Sequence, residues 1–446
     1  MHGGKREAAP RRVVWWLAVA LLALEGLPVG VDPASGASLG VEAAPERPNV
    51  VVIMTDDQTP EMLDAMPKTK ELLVERGTTF RDSVVVNPLC CPSHAAFLTG
   101  RSSRSTRVYN NTPPLGGMFA LDQGNTLPVW LQAAGYSTGK IGKAMLGYAP
   151  AMGTPPGWDS WEANGGGYYD YTLIDGRQLV SYGSAPEDYS TDVLATRSAS
   201  TIERFAGDQR PFFLMINPFA PHYATGSPTA TPAPRHIGAF AGAPLPADPA
   251  INEADVSDKS PQVAATSRLS ATALETTRAG YQSQLESLLA VDDLVERVVS
   301  ALDATGELDH TVIVFTSDNG LLHGQHRLRG KNVPYEPAIR VPLVVRGPGF
   351  PAGAVVDTPV ANIDLAPTIV ALTGATAGLP AEGIDLRTTL LSGGQGDRAL
   401  LIEGAMSGTA GCFDAIRTST RKYIRFADGS EELYDLRADP TSSPAW

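Results

Sequence analysis

Two segments, Asn49–Thr55 (NVVVIMT) and Thr311–Thr316 (TVIVFT), constrain the fold more than any other feature of the chain. Each is continuously apolar, rich in β-branched residues, and stops abruptly at polar ones. Runs of this kind predict strands buried on both faces, hence a parallel sheet with helices above and below it. Pro211–Asn217 (PFFLMIN) and Val341–Arg346 (VPLVVR) read as further strands. Ala279–Ala304 reads as a helix, since Leu285, Leu288, Val291, Leu294, Val295 and Val298 recur at helical spacing. Thr191–Phe205 predicts a second helix. Strands alternating with helices define an α/β architecture.

The remaining organisation follows from texture. Residues 1–46 carry Lys5, Arg6, Arg11 and Arg12 ahead of the apolar run Val13–Leu24, with small residues around Ala34–Ser38. That order predicts an export signal, with no stable membrane span left after its removal. The expected location is therefore secreted, periplasmic or at the cell surface. Residues 47–392 form the expected main domain, with Ala224–Ser260, rich in Pro, Ala and Gly, as a surface excursion. From about Gly393 short strands predict a small C-terminal antiparallel subdomain over 393–446. A formal charge of −13 excludes the basic field that nonspecific nucleic-acid binding needs. The three cysteines, Cys90, Cys91 and Cys412, build no disulfide framework, because an odd count leaves a thiol over and neighbours do not bridge.

Chemistry is expected where parallel strands end. The first strand runs into Asp56-Asp57, and the strand at 311–316 into Ser317-Asp318-Asn319-Gly320. If neighbours in the sheet, these three carboxylates and one amide repel one another unless a hard cation such as calcium or magnesium joins them. For either pair alone, turn and cap residues are the plainer reading. A third element is Pro88-Leu89-Cys90-Cys91-Pro92-Ser93-His94, which places a cysteine just before an expected helix. The free N–H groups and dipole there stabilise a bound anion by ~0.3–1 kcal/mol.

The run Cys90–Arg101 resembles the sulfatase signature Cys-x-Pro-Ser-Arg-x-x-x-Leu-Thr-Gly-Arg at every named position except His94. Four more segments resemble motifs of that family in order. They are Arg47–Asp57, Gly139–Lys143, Pro218–His222, and Ser317–Gly320 continuing through Gly324–Lys331 to Leu343. Glu432–Leu436 with Asp439-Pro440 resembles its C-terminal signature. The resemblance implies an alkaline-phosphatase-like fold and hydrolysis of sulfate esters of amino sugars or aryl alcohols. It implies that Cys90 is converted to formylglycine by a formylglycine-generating enzyme. One hydroxyl of the hydrated aldehyde then attacks sulfur, and the other expels sulfate. It also implies one calcium ion held by Asp56, Asp57, Asp318, Asn319 and position 90. Lys143 and Lys331 would grip sulfate oxygens, and His222 would protonate the departing alkoxide. Tyr109–Thr112 and Gly165–Gly176 are most similar to the N-acetylglucosamine-6-sulfatase group. Tyr168, Tyr169 and Tyr171 are candidates for a sugar subsite or, equally, for structural roles.

The departures matter. Histidine at 94 lacks the forked, fixed-charge donors of the motif arginine, which takes part in recognition for conversion and hydrogen-bonds the formylglycine. Ala144-Met145-Leu146 follow Lys143 where relatives carry a histidine or asparagine. His323 is shifted by one from the family's position. Two alternatives therefore stand beside the hydrolase: a sulfated-glycan binder without catalysis, and a phosphoester or phosphonate hydrolase of the same superfamily.

Overall fold

The computed structural model describes residues 47–394, 396–404 and 412–438. The export segment read in residues 1–46, and Asp439-Pro440 of the C-terminal motif, lie outside them. Among the described residues no helix is long and apolar enough to cross a membrane.

Ten strands form the main sheet: β1 (Asn49–Thr55), β2 (Thr78–Phe80), β3 (Ser137–Lys143), β4 (Ser160–Asn164), β5 (Thr172–Asp175), β6 (Gln178–Ser181), β7 (Phe212–Asn217), β8 (Thr311–Ser317), β9 (Leu343–Arg346) and β10 (Ala354–Val356). Their order is β10-β2-β9-β8-β1-β7-β3-β4-β5-β6. The five central strands, β8 to β4, are all parallel, and antiparallel pairs occur only towards the edges. Five helices matter for the site: α1 (Cys90–Thr99), α2 (Leu127–Ala133), α3 (Ser190–Gly207), α4 (Ala271–Ala304) and α5 (Leu365–Thr373).

The apolar run of β1 divides between two layers. Val51 and Ile53 pack with Ile202 of α3 and Leu288 and Val291 of α4. Val50, Val52 and Met54 pack with Phe97 of α1, Leu131 of α2 and Ile369 of α5. Each such fully buried side chain contributes roughly 1.5–3 kcal/mol, so β1 is anchored from both sides. A second sheet, β11 (Leu400–Gly404), β12 (Phe413–Arg417), β13 (Arg421–Phe426) and β14 (Glu431–Asp435), is wholly antiparallel. Ile402, Ala415, Ile424 and Tyr434 pack it against Val84, Ala96 and Tyr335.

The mostly parallel sheet, its helical layers and the C-terminal antiparallel sheet match the expectation; two details do not, and one element was not foreseen. Helix α4 starts at Ala271 rather than Ala279, because Ser270 caps it by accepting the Ala273 N–H at 3.1 Å. Its first turns are mostly polar, so apolar periodicity misses them. Cys90 is the first residue of α1 rather than the one before it, with Leu89 as the extended cap. Residues 172–181, for which no element was expected, form a hairpin, β5–β6, that extends the sheet beyond β4.

Candidate active site

The central strands deliver the site from their carboxyl ends. Thr55 pairs with Ser317 in the β1–β8 ladder, which sets Asp56-Asp57 beside Asp318-Asn319. The Asp57 N–H donates to Asp318 Oδ1 at 3.2 Å, and Asn319 Nδ2 donates to Asp57 Oδ1 at 2.6 Å. Asp57 holds φ at +73°, a left-handed conformation costing a non-glycine residue about 1–3 kcal/mol and typical of functional sites. Strand β3 adds Lys143. Gly142 just before it has φ +102° and lies so near Asn217 that a Cβ would sit 2.2 Å from the Asn217 carbonyl oxygen. Only glycine permits that turn, which brings the Lys143 ammonium onto Asp56.

Cys90 enters from the other side, at the start of α1. Its Sγ lies 3.0 Å from Lys331 Nζ, 3.5 Å from Lys143 Nζ and 3.9 Å from Asp56 Oδ1. Lys331 also bonds Asp57 and stands 3.7 Å from Asp56 Oδ1. His222, on the loop after β7, points Nε2 at Asp57 Oδ2 across 3.7 Å. Its Nδ1 lies 2.7 Å from the Tyr223 carbonyl oxygen, which only accepts; Nδ1 therefore carries a proton and Nε2 is the nitrogen free to exchange one. His94 sits on the inner face of α1, buried, with Nε2 3.8 Å from Asp318 Oδ2. All nine expected site residues, Asp56, Asp57, Cys90, His94, Lys143, His222, Asp318, Asn319 and Lys331, thus converge on one place.

The electrostatics are strained by burial. Burial pushes the Cys90 thiol up to about 12 despite the two lysines, so the unmodified thiol is protonated near neutral pH. Burial, then the charge on Asp56, pushes Asp318 up to about 8. Burial acts upward on Asp56 too, but Lys143, His222 and Lys331 outweigh it and hold that carboxyl well below the usual range. Burial, with Lys140 and Lys143 nearby, pushes His94 down to about 3, which leaves the ring neutral.

Two buried oxygens, Asp318 Oδ2 and Asn319 Oδ1, find no hydrogen-bond partner. Asp56, Cys90 and Asp318 offer donor atoms within 4.8 Å of one another, as do Asp56, Asp57 and His222. Oxygen donors, three carboxylates against two ammoniums, and two orphaned acceptors are the donor chemistry of a hard divalent cation. The residues present therefore fit calcium.

Several contributors escaped the sequence reading. Asn111 Oδ1 accepts the Cys91 N–H at 2.9 Å, tying the loop after α1 to the nucleophile's neighbour. It lies inside Tyr109–Thr112, a segment singled out only as a resemblance. Lys140 bonds the Asn217 side chain and the Lys143 carbonyl, the latter at 2.7 Å, and so braces the turn that presents Lys143. Tyr168 and Tyr171 are buried rather than sugar-facing. Tyr168 instead donates its hydroxyl to the His222 carbonyl at 2.6 Å, and its ring packs on Phe219, which stacks against His222. The shifted His323 is a core residue, hydrogen-bonded to Gln284 at 2.7 Å and packed on Tyr281.

A buried cysteine at a helix N-terminus, facing two lysines and an oxygen-rich cluster on parallel strand ends, is chemistry suited to an anionic ester or its analogue. The comparisons narrow that class: the sulfatase family pattern matches residues 48–375, and the chain belongs to the sulfatase family. A pattern described as N-sulphoglucosamine sulphohydrolase, C-terminal, matches 324–444. The chain is 37% identical over 391 residues to human N-acetylglucosamine-6-sulfatase, covering 83% of this chain and 68% of that one. It is 33% identical to an extracellular sulfatase SULF-1 homologue of Drosophila melanogaster, over 78% of this chain and only 32% of that one. A Caenorhabditis elegans relative is likewise matched over 46% of its own length. Among solved structures, one in complex with its substrate D-glucosamine-2-N,6-O-disulfate superposes with a TM-score of 0.77 at 24% identity, covering 89% of this chain and 92% of the other. A phosphonate monoester hydrolase of Agrobacterium radiobacter superposes at 0.69 and 22% identity, over 89% and 90%. Identities this low speak for the shared fold alone.

Proposed function

We propose that this chain is an exported sulfuric ester hydrolase acting on sulfated amino sugars, or on aryl sulfates, with formylglycine made from Cys90 and one calcium ion. The observation that carries the reading is Cys90 itself, buried at the start of α1 with its Sγ 3.0 and 3.5 Å from two ammoniums. Calcium bound by Asp56, Asp57, Asp318, Asn319 and position 90 would stabilise charge on ester oxygens, and formylglycine would supply the attacking hydroxyl and a route to release sulfate. Around them the chain's own residues have distinct tasks. Lys143 and Lys331 bind the sulfate oxygens and balance charge that grows on them. His222 delivers a proton from Nε2 to the leaving oxygen, since Nδ1 is committed to the Tyr223 carbonyl. Asn111 and Lys140 orient the Cys91 backbone and the Lys143 turn. The SULF-1-like relatives and the basic-then-apolar N-terminal segment support export. Residues 47–392 are assigned as the catalytic domain and 393–446 as a subdomain packed on it.

His94 favours a second reading. Neutral and short, it cannot offer the paired, charged donors of the motif arginine, so a chain left unconverted would bind sulfated sugar without cleaving it. Mass spectrometry of the Cys90 peptide from natively expressed protein, paired with turnover of N-acetylglucosamine 6-sulfate, decides between them. Formylglycine with sulfate release supports the hydrolase. An intact cysteine and no turnover, with the sugar still bound, establishes the binder. Faster release of phosphate or phosphonate than of sulfate would move the assignment to the other branch of the superfamily.

A further inference from the structure

Beside the Cys90–Cys91 step lie two loops, residues 108–121 and 144–158. They hold each other, for the Met118 N–H donates to the Leu146 carbonyl at 2.8 Å and the Phe119 ring lies close to Gly147. Gly147 has φ +92°, a conformation that favours glycine, and a Cβ there would come within 2.8 Å of the ring, which would have to shift. The same loops hold the nucleophile's neighbour. Asn111 Oδ1 accepts the Cys91 N–H, and the Leu146 N–H reaches Cys91 Sγ at 3.3 Å.

Their composition is unlike the rest of the chain. Neither loop contains an Asp, Glu, Lys or Arg, although such residues make up 19% of the protein. Among the described residues, four of the nine exposed large apolar side chains cluster here: Leu115 at 52%, Phe119 at 62%, Leu146 at 41% and Met152 at 38%. Phe119 and Leu146 come together where the loops join at Met118 and Gly147, and exposed apolar side chains brought together in this way mark a binding surface. The loops that carry it are tied by Asn111 and Leu146 to Cys91, the residue next to Cys90.

We propose that loops 108–121 and 144–158 form the subsite for the alcohol half of the ester, with Phe119 as its platform. It selects esters whose ring presents an uncharged C–H or aryl face, and it disfavours rings carrying further sulfates. The reason is electrostatic as well as steric. An aromatic face packs against apolar ring faces, whereas a second sulfate would meet no cation in either loop. The inference rests on the hydrolase reading for the identity of the ligand, but its test does not need turnover.

Isothermal titration of the full chain, wild type and Phe119→Ala, with N-acetylglucosamine 6-sulfate and with inorganic sulfate tests it. Phe119→Ala should weaken the sugar sulfate about five- to tenfold, with inorganic sulfate unchanged within about twofold, and Phe119→Tyr should restore wild-type affinity. Equal loss for both ligands, or loss for neither, overturns the subsite. Tighter wild-type binding of the N-sulfated 6-sulfate than of the N-acetyl compound overturns the selectivity. If the wild type binds the ester as expected yet never cleaves it, the hydrolase reading falls and the subsite stands. If it cleaves the ester and Phe119→Ala is indistinguishable in affinity and KM, the subsite alone falls.

Discussion

Glu336 is buried with Arg417 of β12 and Lys422 of β13, where the C-terminal sheet meets the main domain; Asp56, Asp57 and Asp318 are buried with Lys143 and Lys331 at the carboxyl edge of the main sheet. The first set closes in charge, although Arg417 Nη1 finds no hydrogen-bond partner. Glu336 accepts from Arg417 Nε and Nη2 at 3.1 and 3.0 Å and from Lys422 at 3.1 Å, while Asp82 takes the other charge of the pair through Arg417 at 2.7 Å. Two anions meet two cations. The second set does not close, since three carboxylates meet two ammoniums and two buried oxygens stay orphaned. Burial magnifies both situations, because unpaired charge in a dry site costs several kcal/mol per ion. A closed cluster fixes how two sheets meet. An open one is stable only with something added, and that marks where ligands enter.

The sharpest break between the two clusters comes from removing the reacting atom. On the proposed reading, Cys90→Ala deletes the group on which turnover depends. Activity on aryl or sugar sulfate should fall by at least ~10³-fold while the melting temperature stays within a few degrees. A variant that keeps its activity would remove Cys90 from the chemistry. One that fails to fold would show that the open cluster is structural after all.

Charge removal should act in opposite directions on the two sets. Asp318→Asn relieves repulsion among three buried carboxylates, so the metal-free protein should melt at a higher temperature than the wild type. On the proposed reading the same change replaces a charged calcium ligand with a neutral one, so added calcium should raise the melting temperature less, and turnover should drop about a hundredfold. Thermal unfolding with and without calcium reads both arms. A lower metal-free melting temperature would contradict the account of an open cluster.

What the sequence made legible follows the same division. The strands of the core were readable because β1 and β8 are buried on both faces, so their patterns are unbroken. The acids at their ends were readable because strand ends are where parallel sheets put ligands. The convergence of all nine residues needed the family order, since single lysines and histidines carry no position. The braces were illegible. Asn111 and Lys140 act through one hydrogen bond or two, and nothing in residue type separates them from ordinary loop and strand residues. The hairpin β5–β6 was missed because its strands, TLID and QLVS, are short and do not alternate buried with exposed residues. No period-2 pattern emerges from such a segment.

In the closed cluster, Glu336→Gln should be destabilising, because it leaves Arg417 and Lys422 buried with one counter-charge fewer. The expected loss near pH 7 is about 3 kcal/mol. The pH dependence carries its own sign. Arg417 and Lys422 outweigh burial and hold the folded Glu336 carboxyl well below its unfolded value. Between the two values the unfolded chain binds more protons, so this contribution is complete above the unfolded pKa and disappears as pH falls through the folded one. Urea unfolding at pH 7 and at pH 3.5 should therefore show a wide gap between wild type and variant at the first pH and a narrower one at the second. A gap independent of pH would assign the effect to packing.

The smallest expected effect is the most diagnostic for His94. Beside that ring lies a small cavity of about 40 Å³ whose lining includes Leu98, Met118, Lys140, Trp158 and Trp161, the direction in which a longer side chain would extend. His94→Arg would place a third permanent cation next to Asp318 and bring the open cluster to the same charge balance as the closed one. Two readouts should then move together. The fraction of Cys90 found as formylglycine should rise, with turnover rising a few-fold in proportion, and the metal-free melting temperature should increase, since a buried charge pair gains from a neighbour of opposite sign. If the wild type is already fully converted and the variant is no faster, His94 is a working member of the site and its neutrality is no defect. If the melting temperature falls, Lys140 is the cause, because a second buried cation beside it would then outweigh the pairing with Asp318.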